Sequence, residues 1–87
     1  MHRNVTRAYR ALWAEHERIR RSHLKLLSQG NRQLERRLLR ANPDDKRHHH
    51  EVLRYEERLS RPQRRRVMEL CSYGRKIEQV MEALLKL

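Results

Sequence analysis

Phenylalanine is absent, and the whole aromatic set is Trp13, Tyr9, Tyr55 and Tyr73 in a chain of 87 residues. Any core must therefore be built from Leu, Val, Ile and Met, with at least two of those rings turned inward. Glycine occurs twice, at Gly30 and Gly74, which leaves little of the backbone freedom that phosphate-cradling loops use. There is no Ser-centred elbow and no carboxylate pair beside a glycine-bearing loop, so the chain reads as no enzyme, with no cofactor and no small-molecule substrate. The single Cys71 excludes an internal disulfide and leaves no Cys-x-x-Cys pair for zinc, and a reducing compartment suits it best. Its neighbours Arg66 and Arg75 do not assemble a nucleophilic triad, and we read Cys71 as a small buried apolar residue. No apolar run approaches the roughly 20 residues of a membrane span, and no secretory h-region is present. Sustained period-two alternation and repeats of 20–50 residues are also missing, which excludes strands and solenoids.

What the chain has in excess is positive charge. It carries 22 Lys and Arg against 11 Asp and Glu, a net charge of +11, and eighteen of the cations are Arg. The net charge is +5 over 1–30, +3 over 31–47 and +3 over 48–87, so it belongs to folded faces rather than to one basic arm. A magnitude of about 2–8 suffices for solubility in a small domain, so the surplus implies an acidic counterpart. A chain of this length buries only about 60–65% of its unfolded surface, and stability gained on a partner is expected.

The organising stretch is the first helix. Val5, Leu12, Ile19 and Leu26 recur every seven residues, with Tyr9, His16 and His23 between them. Steps of four and three keep one face turned inward, while Arg3, Arg7, Arg10, Arg18, Arg21 and Lys25 make a cationic back. Ser28-Gln29-Gly30 is a stop, with Gly30 in the left-handed position. Asn31 caps a second helix with Leu34, Leu38 and Ala41 on its stripe. Asn42-Pro43-Asp44-Asp45 opens a third, with Asn42 as cap, presenting Val52, Tyr55 or Glu56, and Leu59. Ser60-Arg61-Pro62-Gln63 is a capping box, and whether the chain kinks or turns there is left open. Val67, Leu70, Cys71, Ile77, Val80, Met81, Leu84 and Leu85 complete the apolar pattern. Gly74 is either a stop before a last helix or a tolerated weak point. The expected architecture is all-α, one domain over 1–87, a small antiparallel bundle of three to five helices with short loops, at about 4–28, 31–41, 43–59, 61–73 and 75–87. The apolar end at Leu84, Leu85 and Leu87 is expected to pack against the first helix or a partner.

His48-His49-His50 radiate at about 100° intervals on a helix and cannot share one metal, so a solvated first turn is expected. His16 and His23 should end the seam in hydrogen bonds to neighbouring helices. The basic clusters are Arg36, Arg37 and Arg40, and Arg64, Arg65 and Arg66. They would hold an acidic protein or, alternatively, RNA phosphates in a ribosome or other ribonucleoprotein, although stacking aromatics are few. Self-association of the first seam is limited by Gly30 to about three and a half heptads, below coiled-coil length.

Val5, then Ala8-Tyr9-Arg10, then Leu12 and Trp13 stand in the order and place of the opening of the LYR-motif family, small basic helical proteins of mitochondria. Leu39-Arg40-Ala41-Asn42 resembles the Phe-Arg pair at the end of that family's second helix. The similarity covers residues 5–42, with Ala8 in place of the motif Leu and Leu39 in place of Phe. It implies a non-catalytic assembly or accessory factor of the mitochondrial matrix that binds acylated acyl carrier protein, with the acyl chain among the helices and Arg10 and Arg40 facing the acidic carrier. The Arg-rich N-terminus, free of acids until Glu15, would suit organelle targeting. The expected partner contacts are Tyr9, Arg10, Arg36, Arg37, Arg40, Arg64, Arg65 and Arg66.

Overall fold

A computed structural model of the chain describes residues 3–87, which form four helices and no strand. α1 spans Arg3–Ser28, α2 Arg32–Arg40, α3 Lys46–Glu57 and α4 Arg61–Leu85. None of them is long and apolar enough to cross a membrane.

α1 and α4 form an antiparallel pair. Ile19 lies beside Gly74, and one turn on, His16 Nε2 stands 2.8 Å from Glu78 Oε1. Their shared core is Ile19, Leu70, Ile77 and Met81, with Tyr9, Leu12 and Leu26 packed against it. α2 and α3 both rest on the C-terminal half of α1. There Leu24, Leu27, Leu38, Leu59 and Val67 make the second core. Because two more helices wrap that half, Leu24 and Leu27 are buried more deeply than most of the heptad seam. The molecule is accordingly long, 44 × 25 × 22 Å.

Local chemistry explains each boundary. α1 ends on two successive left-handed residues, Gln29 at φ 48° and Gly30 at φ 85°, so the turn uses a non-glycine residue as well as the expected glycine. The Asn31 side chain accepts the Leu34 amide at 3.1 Å and caps α2. α3 starts at Lys46, three residues after the expected Pro43. Asn42 Oδ1 accepts the Asp44 amide at 3.0 Å in an Asx turn, and Asp45 caps the helix by accepting the Arg47 amide at 2.9 Å. Two residues compete for one cap, and Asn42 is used by the turn. Ser60 and Gln63 form the expected reciprocal box, and α3 and α4 are separate helices.

The predicted break between 61–73 and 75–87 does not exist. α4 runs through Gly74 because Val67, Leu70, Gly74, Ile77 and Met81 fall on one buried stripe at steps of three and four. A Cβ added at Gly74 would meet Ile19 Cγ2 at 3.7 Å, an ordinary van der Waals contact. Gly74→Ala should therefore stabilise the protein by about 0.5–1 kcal/mol, through lower unfolded-state entropy and better helix propensity. A thermal melt checks this; a lower midpoint would mean that the helix pair is closer there than it stands.

Candidate functional site

A groove of about 850 Å³ runs between α1, α2 and α4. Its apolar lining is one leucine from each helix, Leu26, Leu39 and Leu70, and its rim carries Lys25, Arg32, Arg36 and Arg66 against the single acid Glu35. Arg66 also reaches Glu69 at 3.4 Å, an exposed contact worth little. Lys25, Arg32 and Arg36 have no carboxylate partner among the described residues, so their charge is available to a ligand.

The fold splits both basic clusters of the sequence. Arg36 and Arg66 meet at the groove. Arg37 turns away to Glu51, whose carboxyl its hydrogen bond holds below the usual carboxylate range. Arg64 caps the end of α3, its Nε donating to the Leu59 carbonyl at 3.0 Å and Nη2 to that of Glu57 at 3.4 Å. Arg65 lies with Arg61 and Lys76 along the outer face of α4, which also carries the exposed Met68 and Tyr73 and the acid Glu69. Arg10 and Arg40 are exposed but do not line the groove; Arg10 lies fifteen residues from Lys25, about 22 Å along the helix. Tyr9 is half-buried against the α1/α4 core. Tyr55 is also half-buried, so neither ring is fully enclosed.

Arg20 is the residue that the sequence reading passed over. Its Nη2 donates to the carbonyls of Leu38, Leu39 and Ala41 at 3.5, 3.2 and 3.4 Å. A cation thus sits on the negative end of α2 and fixes the wall of the groove. Arg20, Leu24 and Leu27 are spaced i, i+4 and i+7, a second stripe on α1 whose cation was the available signal.

His48 corrects the expected solvated histidine turn, being only 8% exposed. It continues the α3 stripe of Val52, Tyr55 and Leu59 back by one step of four. His49 and His50 are exposed, and the His49 ring bonds the Pro43 carbonyl. Burial, then the charges of Arg20 and His49, push the His48 pKa below its ordinary 6.5, with Glu51 and Asp45 opposing. The unfolded chain takes up that proton near 6.5 while the folded one resists it. The resulting stability is complete above that pH and is lost as pH falls toward the lowered folded value. The melting temperature should therefore fall as pH drops below about 6.5, and His48→Leu should flatten that part of the profile.

His16 and His23 end in carboxylate contacts, His23 Nε2 lying 3.0 Å from Glu56 Oε1. Cys71 is half-buried against the core, and burial pushes its thiol pKa up, the direction of an inert rather than an activated thiol. No group of three metal-ligating side chains is present among the described residues. No family profile, characterised protein or solved structure matches the chain.

Proposed function

We propose that the protein is a non-catalytic helical adaptor or accessory factor that docks an acidic protein in the α1/α2/α4 groove. The observation that carries this reading is the leucine lining under a rim of four cations, three of them without a carboxylate partner among the described residues. Opposite charge would speed encounter and set orientation, and Leu26, Leu39 and Leu70 would supply apolar contact. An amphipathic segment with carboxylates flanking an apolar stripe fits such a groove. The resemblance of residues 5–42 to the LYR-motif family makes acylated acyl carrier protein in the mitochondrial matrix the partner to test, its acyl chain lying on the same leucines.

Arg36→Glu combined with Arg66→Glu should weaken binding of the acylated carrier by about tenfold or more, with circular dichroism unchanged because both side chains are exposed. Unchanged affinity would remove the groove from the account. Loss only on Arg10→Glu with Arg40→Glu would place the carrier on the arginines that match the family motif instead.

The outer face of α4 favours a second reading. Arg61, Arg65 and Lys76 stand along this face with the exposed Tyr73, Lys76 one turn from its ring, against the single acid Glu69, a stripe that suits phosphates beside a stacked base. RNA bound there would show a log–log salt slope of about −0.7 per phosphate contacted.

A further inference from the structure

Leu39 serves two sites at once. Its side chain lines the groove, and its carbonyl is the closest of the three that Arg20 holds at the end of α2. The position of the groove wall is therefore tied to one guanidinium. The neighbour of that guanidinium on α3 is His48, whose Nδ1 is enclosed and has no hydrogen-bond partner among the described residues. The charges that His48 meets are Arg20 from α1 and Asp45, His49 and Glu51 from its own end of α3. α2 contributes Arg37, which holds the Glu51 carboxylate. Both nearby carboxylates are thus already engaged, Glu51 by Arg37 and Asp45 by the Arg47 amide that it accepts at 2.9 Å. A proton added at Nδ1 would put a buried N–H⁺ beside Arg20, and like charges so placed repel. The least firmly held neighbour is the last turn of α2. Leu38 is the one buried residue of that helix, and Leu39, Arg40 and Ala41 beyond it are half-buried or exposed.

We propose that His48 is a proton-operated latch on the groove: its protonation displaces Arg20 from the end of α2, the last turn of α2 loosens, and the wall that Leu39 supplies is lost. The loosening follows from this cluster of groups alone, whereas the release of a ligand rests on the docking proposed for the groove. An open form, in which the imidazole reaches water, takes up a proton near the ordinary value of 6.5, and the closed form resists it. Falling pH therefore shifts the population toward the open form. A partner taken up at neutral pH is let go at acid pH, and Leu38 in the core keeps the rest of α2 in place.

Amide hydrogen exchange of the full chain, expressed as protection factors at about pH 7.5 and about pH 5.5, tests the latch without any ligand. Residues 39–41 should lose about tenfold of their protection at the lower pH while α1 and α4 keep theirs. His48→Leu should abolish that loss, and so should His48→Gln, which keeps a neutral polar group in the site. His23→Gln should leave the loss in place, which separates it from the His23–Glu56 contact. Affinity for the acylated carrier should fall by about tenfold between the same two pH values, and should not do so in His48→Leu, a comparison that cancels titration of the carrier's own carboxylates. Equal protection of residues 39–41 at both pH values, an equal loss in both His48 variants, or a loss shared by all four helices would overturn the latch. A carrier that does not bind at the higher pH would overturn the docking and with it the release, while the exchange result still decides the latch.

Discussion

Replacing Leu38 by alanine is expected to cost about 3 kcal/mol. Leu38 is 1% exposed and is the one fully buried residue of α2, set among Leu24, Leu27, Leu59 and Val67. A nine-residue helix does not persist in water without such an anchor. The cavity would open where α1, α2 and the start of α4 converge, between side chains of different helices that cannot all collapse into it. A domain of this size has about 4–13 kcal/mol in total, so the loss is a large fraction of the whole. Urea denaturation should show a markedly lower midpoint, and hydrogen exchange should show α2 losing protection first. Leu53→Ala on the exposed face of α3 is the control, with a change of about 0.5 kcal/mol or less. Equal effects at Leu38 and Leu53 would mean that the second core does not hold α2.

Arg20→Met should cost about 2 kcal/mol, since it removes a charged donor shared by three carbonyls at the end of α2 while keeping most of the apolar stem. A second effect separates this role from simple packing. The Arg20 charge is one of the causes that keep the His48 pKa low, after burial itself. Its removal should let His48 bind a proton at higher pH, part of the way back to its ordinary value, as followed by the imidazole NMR shift. Arg20→Lys keeps the charge without the planar fork, so the His48 titration should stay low while the stability loss is only partly recovered. Because Arg20 sets where α2 ends, Arg20→Met should also weaken binding in the groove without touching its lining.

Features that depend on a few neighbouring residues were legible in the sequence. The Asn31 cap, the Ser60–Gln63 box and the inward face of α1 through Ile19 are all decided within one or two turns of chain. What failed was competition between equivalent signals. Asn42 and Asp45 can both cap α3, and the Asx turn at Asn42 decides for Asp45. Gly74 can stop a helix or lie within one, and the match of its stripe to Ile19 decides for continuity. The candidate site was half legible for a related reason. Helical period places Arg36 and Arg37 about 100° apart, but which of them faces the groove depends on how α2 lies on α1. That is set at a distance, by Arg20 and by the left-handed pair Gln29 and Gly30. Adjacent arginines in the sequence therefore end in different work: Arg36 on the rim, Arg37 in an ion pair, Arg64 on the end of α3, Arg65 on the outer face of α4.

Native mass spectrometry of the full chain with acylated acyl carrier protein, with a structured RNA present as competitor, tests the central claim most directly. Docking in the groove predicts a complex with one carrier per chain that retains the acyl mass and disappears when Arg36 and Arg66 are both changed to Glu. Capture of the RNA with no carrier bound would contradict it and would assign the surplus of arginine to phosphates.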